Sequence, residues 1–412
     1  MGEIFEFDFF SILLSILYLV LVLGLLITLL SYDNKVKKNA VFSLCWAVSF
    51  YYFIFLVNHF FSFKSIPPDT IYYASIINDY WNNYDTWTIS VKLYAIINFV
   101  PFQLSMGYPV VFVIFNIFFF YSGIIFIGKS FIKITKYYDV PISNNFMMQL
   151  FFYASFYPVG IFVIPTLLRE GSMVFFFGLS TFLLVETFTA GNDKKWIIRG
   201  LLLASISLLT LIRPIGGVSF LTGLFVIYML KIFKSKSMKK IFYSLFSFII
   251  FVFLINFIVD YFYNLSFSFA WIEKFRASHF ELFGKESYGT DLNWNGLFNS
   301  LKSTLLLFLQ YLFSPFPIII SKEIALQKLI PLFDAMYILV SFIPLIFITK
   351  TKPLKIILLF AFILLIIPSI FETHISGAFR HRMNAIVLLM PVFVYSINKF
   401  LLNSIKKLNA NQ

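Results

Sequence analysis

Residues 146–190 read FMMQLFFYASFYPVGIFVIPTLLREGSMVFFFGLSTFLLVETFTA. Two long apolar segments, 146–166 and 172–190, meet at Pro165-Thr166-Leu167-Leu168-Arg169-Glu170-Gly171, which leaves almost no room for a loop. An arginine and a glutamate therefore stand where two membrane-length helices join. Charges at or near membrane depth are expensive unless they pair or face a wet cavity, so they are functional candidates and the rest of the chain reads as their scaffold.

Working outward, composition settles the class. The 412 residues are 60% hydrophobic and 12% charged, with positive mean hydropathy. That balance belongs to an all-α polytopic membrane protein. No stretch is long and polar enough for a separate soluble domain, so 1–412 is read as one integral membrane domain. A net charge of +13 would suit a nucleic-acid surface. Most basic residues, however, fall in short connections between apolar segments, where they fix topology; nucleic acid is not an expected partner. The single cysteine, Cys45, excludes an intrachain disulfide.

Phe9–Ser31 is long enough to cross about 30 Å of hydrocarbon at roughly 1.5 Å per residue. No basic residue precedes it and no small-residue cleavage pattern follows, so it reads as a spanning helix rather than a signal peptide. Lys35, Lys37 and Lys38 come next, which by the positive-inside rule places the N-terminus outside. Further apolar segments are 39–63, 108–128, 146–166, 172–190, 196–212, 215–230, 241–263, 331–349, 356–371 and 383–402, giving about eleven crossings. Alternation then puts Lys129, Lys133, Lys136, Lys194, Lys195, the run 231–240, Lys350, Lys352, Lys355, Lys406 and Lys407 inside, with a cytoplasmic C-terminus. This requires that 301–320, interrupted by Pro315 and Pro317, dips into or lies along the outer interface without crossing.

Two outer loops, 64–107 and 265–330, are longer than plain connections need. The first carries Tyr72, Tyr73, Tyr80, Trp81, Tyr84 and Trp87. Such a set reads either as an interfacial aromatic belt or as a platform for stacking sugars.

Arginine usage is the most informative pattern. Lysine far outnumbers arginine, yet Arg169, Arg213, Arg276, Arg380 and Arg382 all fall on the outer side in this topology, leaving Arg199 toward the inner one. A guanidinium offers a planar fork that binds phosphate or carboxylate bidentately, whereas lysine is a point charge on a flexible stem. The skew points to an anionic ligand at the outer face. Plainer readings exist for each residue. Arg169 and Glu170 neutralise one another at a tight turn, Arg213 before Pro214 snorkels to headgroups, and Arg380-His381-Arg382 contacts lipid phosphates. Their joint occurrence on one side favours a shared site.

An acidic partner is sought in the first outer loop, where Asp69 follows Pro67-Pro68 and Asp79 lies further on. A carboxylate at the membrane surface takes a proton from an acceptor hydroxyl or holds a divalent metal against a phosphate. His59, His279, His374 and His381 also fall outside, but no two are spaced as a tight ligand pair, so zinc is not expected.

An outer-loop Asp followed by the pair Tyr72-Tyr73, Arg213-Pro214 at an outer helix end, and Arg380-His381-Arg382 before a last helix containing Pro391 resemble the membrane-embedded glycosyltransferases of the GT-C fold. The resemblance implies sugar transfer from a polyprenyl-phosphate-linked donor to a glycan, lipid or protein acceptor. It makes Asp69 the candidate catalytic carboxylate and Arg380 and Arg382 the candidate phosphate contacts. The many helices, the large late outer loop and the outer arginines are also similar to Wzy-like O-antigen or capsule polymerases. Either implies a bacterial cytoplasmic membrane with an outward-facing site and a role in cell-surface polysaccharide synthesis. A flippase or transporter is the alternative of another class. It would line a path through the bilayer with polar groups and show internal repeats, and no repeat is evident.

Overall fold

The structure is a computed structural model that describes residues 9–32, 37–61, 73, 89–106, 108–166, 168–189, 195–233, 250, 253, 257, 272–273, 276–278, 292–314, 326–346 and 351–410. Among the described residues it is predominantly helical, with no strand. The span expected over 241–263 falls almost entirely outside them, as do Asp69, Tyr72 and Asp79.

Contacts between helices fix their directions. Helix α1 (Phe9–Ser31) is followed by α2 (Lys38–Phe61), α3 (Ile89–Leu104) and α4 (Pro109–Tyr137). The Phe10 ring lies 6.0 Å from Tyr108 at the start of α4, while Lys129 near its other end donates to the Leu29 carbonyl at 2.8 Å. Hence α1 and α4 run parallel. Helix α5 (Phe146–Ser155) runs alongside α2, with Ser43 donating to Met148 O at 2.9 Å and Tyr51 to Ala154 O at 3.0 Å. After a break at Tyr157-Pro158, where proline cannot donate into the preceding turn, α6 (Pro158–Val163) completes the return. Helix α7 (Glu170–Thr189) is again parallel to α4: Gly171 packs on Asn116, Gly178 on Gly123, and Lys133 pairs with Glu186.

The α4–α7 contact explains two of these glycines. A Cβ on Gly178 would lie 2.5 Å from the Gly123 carbonyl oxygen, and one on Gly123 would lie 2.7 Å from the Val174 carbonyl carbon. Small residues of this kind let membrane helices pack backbone to backbone.

Helix α8 (Lys195–Ile212) returns beside α7 and breaks at Arg213-Pro214 into α9 (Pro214–Phe233). Among the described residues the remaining helices are α10 (Leu297–Phe313), α11 (Leu326–Ile346), α12 (Lys352–Phe371), the short α13 (Ile375–His381) and α14 (Met383–Ala410). Seven of them, α1, α2, α4, α7, α8, α12 and α14, are long and apolar enough to cross a membrane, and α3, α5, α9 and α11 hold shorter apolar stretches. Rows of large apolar side chains face outward, such as Val20 at 65% exposure and Leu203 at 68%. In lipid that surface carries no hydrophobic penalty.

Two expectations change. Loop 64–107 contains α3, an apolar helix whose Tyr94, Ala95 and Asn98 are fully buried. Lys129, Lys133 and Lys136 lie on the last turns of α4, which extends beyond residue 128, rather than in a loop. The two ends of the bundle differ in charge. Lys133, Lys136, Lys195 and Lys355 lie at the end where α4 and α7 finish and α8 and α12 begin, and Arg169, Arg213 and Arg380 lie at the other.

Candidate functional site

The arginine end is built from helix breaks. Beyond Pro165 the chain turns into α7, and Asn116 of α4 clamps that turn by donating its amide to the carbonyls of Thr166 and, at 3.2 Å, Leu168. Gly171 lets α7 start against α4, since a Cβ there would lie 2.8 Å from the Asn116 carbonyl oxygen. At Arg213, Pro214 opens the next helix at a position where the missing N–H costs nothing.

Glu170, 1% exposed, is the centre. Its Oε1 accepts from Nε and Nη2 of Arg380, both at 2.8 Å, and from Nη1 of Arg213 at 3.3 Å. Among the described residues its Oε2 has no hydrogen-bond partner. The reading in which Arg169 and Glu170 neutralise one another is corrected. Arg169 donates instead to the Ile212 carbonyl at 3.2 Å, and its guanidinium lies over the Tyr73 ring at 5.5 Å. Tyr73 is itself buried, edge-on to Tyr94 at 4.8 Å, so one face of its ring serves Arg169 rather than a sugar.

A second carboxylate, Glu372, follows the end of α12. Its Oε1 accepts the amides of Thr373 (3.2 Å) and His374 (3.1 Å), and its Oε2 pairs with Nδ1 of His381. Buried Arg276 secures this corner by donating Nη1 to the carbonyls of Ile370 (2.9 Å) and Glu372 (2.8 Å). Gly377 makes the corner possible, because a Cβ there would collide with the Glu372 carboxylate. Burial pushes the Glu372 carboxyl up, but His381, the His374 amide and Arg213 outweigh it and bring its pKa to about 2. Burial, followed by the charge of Arg213, lowers the imidazole pKa of His381 despite Glu372. The pair is therefore an ionised carboxylate holding a neutral imidazole.

Arg213 and Arg380 thus pair with Glu170, Arg169 sits alongside on the Ile212 carbonyl, and Arg276 holds the backbone at Glu372, so four guanidinium groups stand against two carboxylates. Arg213 and Arg380 remain partly open, with side chains 14% and 18% exposed.

Arg382 is elsewhere, and its expected role as a phosphate contact is corrected. It is fully buried. Nε donates to Asp334 at 2.7 Å, Nη1 to the carbonyls of Tyr311 (2.6 Å) and Leu312 (2.8 Å), and Nη2 to Asp334 and to the Ser314 carbonyl (3.3 Å). All five donors of a guanidinium are used, which leaves no fork for a ligand. Arg382 ties the last turn of α10 to α11 and α14. The sequence reading missed Asp334 and Glu372. A lone acid inside the apolar 331–349 segment and an acid between two apolar helices were the signals available for them.

Among the described residues no three His, Cys, Asp or Glu side chains gather as a metal site needs. A nearly apolar cavity of about 80 Å³, lined by residues such as Phe131, Thr181, Ile357 and Leu388, lies toward the lysine end, away from the charges. Comparison with protein-family models, curated proteins and solved structures returned no match.

Proposed function

We propose that the chain is a membrane-embedded glycosyltransferase that takes a sugar from a polyprenyl-(pyro)phosphate-linked donor at the outer membrane face. The observation that carries this reading is the convergence of Arg169, Arg213 and Arg380 at Glu170, beside the Glu372 corner that Arg276 pins, with Arg213 and Arg380 partly exposed to the surface. A net positive, half-desolvated site at a helix-bundle end suits a lipid phosphate, because its donors are positioned before the ligand arrives. As the bond from the anomeric carbon to the phosphate oxygen breaks, charge grows on that oxygen, and the guanidinium groups stabilise it. The gathering of lysine at the opposite end, read with the positive-inside rule, makes that end cytoplasmic and the arginine end external.

A polymerase of Wzy-like type uses the same site with a glycan as acceptor. A flippase is disfavoured, since among the described residues the partly exposed ion pairs lie at the two ends, and the pair set deeper in a helix, Arg382 with Asp334, is fully buried and lines no path. The test is to incubate the purified protein in nanodiscs with polyprenyl-linked sugar donors and candidate acceptors, and to follow products by mass spectrometry. Transfer or polymerisation supports the reading. Translocation of a labelled lipid-linked glycan without any transfer would replace it with the carrier.

A further inference from the structure

Glu372 and His381 form a built unit that binding a phosphate does not require. The carboxylate is folded back under α13, in space that exists because residue 377 is glycine, and its backbone is pinned by Arg276. One carboxylate oxygen is held by two backbone amides and the other by Nδ1 of His381. This arrangement fixes the imidazole ring and its tautomer: Nδ1 carries the hydrogen, and Nε2 presents a lone pair. The imidazole is 18% exposed, next in sequence to Arg380, and it feels the charge of both Arg213 and Arg380.

From this geometry we infer that His381, oriented by Glu372, is the proton acceptor of the site, taking the hydrogen of an acceptor hydroxyl through Nε2. The inference rests on the transferase reading. In the step, the acceptor O–H gives its proton to Nε2 and its oxygen bonds the anomeric carbon. The bond from that carbon to the phosphate oxygen breaks, and its electron pair stays on the phosphate beside Arg380 and Arg213. The imidazolium is then stabilised by Glu372 and returns its proton to the departing phosphate or to water. The groups that set the imidazole's proton affinity are Glu372 at the end of α12, Arg213 between α8 and α9, and Arg380 on its own helix. Burial and the charges of Arg213 and Arg380 outweigh the pull of Glu372, so the imidazole is neutral and ready to accept a proton at pH 7.

The experiment measures transfer rate against pH for the wild type and for His381→Asn, Glu372→Gln and Asp69→Asn in nanodiscs. Asparagine keeps a donor near the position of Nδ1 and so keeps the contact to Glu372, while it removes the titrating Nε2. His381→Asn is expected to lose about 100-fold or more in turnover, to lose the acidic limb of the profile, and to keep donor binding within about twofold. Glu372→Gln leaves the ring oriented but removes the negative charge, so the acidic limb moves to lower pH; this variant decides the matter if His381→Asn does not fold. Retained turnover with an unchanged limb in both variants, or loss of the limb in Asp69→Asn alone, overturns the inference and leaves the transferase reading standing. Absence of transfer by the wild type with every donor and acceptor overturns both.

Discussion

Glu170 and Arg380 stand 210 positions apart in the chain, and a single carboxylate oxygen accepts two guanidinium nitrogens at 2.8 Å. This ion pair joins the first residue of α7 to the short helix before α14 and closes the arginine end of the bundle. Arg213 shares the same oxygen. Removing the carboxylate therefore strands two guanidinium groups in a low-dielectric corner. Glu170→Ala is expected to cost about 3–5 kcal/mol, the scale of breaking a buried pair from one side. The check is the thermal midpoint in detergent; an unchanged midpoint would show that Glu170 does not hold the end together.

Arg382→Lys and Arg380→Lys are expected to fail in different ways. Lysine cannot reproduce the five-donor fit of Arg382 to Asp334 and the end of α10. That variant is expected to lose about 2 kcal/mol or more of stability, with donor affinity unchanged in the fraction that folds. Arg380→Lys is expected to fold and to lose affinity. Unfolding curves and donor titrations run on both variants separate the two patterns.

The difference between these neighbours also shows what was legible in the sequence. The chain's few arginines stood out because each interrupts apolar surroundings, and the convergence of Arg169, Arg213 and Arg380 follows from helices breaking at the same end. Pairing was not legible. Arg169 and Glu170 are consecutive, and Arg380 and Arg382 are two apart, yet residues one or two positions apart on a helix do not face each other. Each member of these pairs accordingly finds a distant partner: Glu170 takes Arg380, and Arg382 takes Asp334. Glu372 was overlooked because its role depends on the space left by Gly377 and on Arg276, both visible only once the chain is folded. The apolar helix inside 64–107 was missed because its 16 residues, interrupted by Lys92 and Pro101, fall short of the pattern of a full span.

The α4–α7 contact gives a stability test with an internal control. Gly178→Ala places a methyl group against the Gly123 carbonyl and is expected to cost about 1–3 kcal/mol. Gly24→Ala and Gly200→Ala meet nothing within 4 Å and are expected to be neutral or slightly stabilising, since alanine is the better helix former. Equal midpoints for all three would contradict the close packing described.

Acidification probes Glu372 separately. Its pKa, about 2 in the folded protein against an ordinary 4.5, is depressed, so its contribution to stability is present above about pH 4.5 and is lost as pH falls toward 2. Glu372→Gln is expected to lower stability at pH 7 and to flatten its dependence over that window. Parallel curves for the variant and the wild type would show that the carboxylate is not held in its ionised form.

Sidedness is checked with Cys45 replaced and single cysteines placed at exposed Met106, near the arginine end, and at Trp196, near the lysine end. A membrane-impermeant maleimide added to intact cells is expected to label position 106 and spare 196. The reverse pattern would turn the arginine end toward the cytoplasm and remove the basis for an external donor site.

Equilibrium binding of a fluorescent polyprenyl phosphate to the protein in nanodiscs tests the central claim most directly, with wild type, Arg380→Lys and Arg199→Lys compared. Saturable binding that weakens about tenfold or more in Arg380→Lys and is unchanged in Arg199→Lys is the expected result, because a lost bidentate charge-assisted contact is worth roughly 1.5–3 kcal/mol. Equal affinity for wild type and Arg380→Lys, or no saturable binding by the wild type, would contradict the assignment of the arginine end as a lipid-phosphate site.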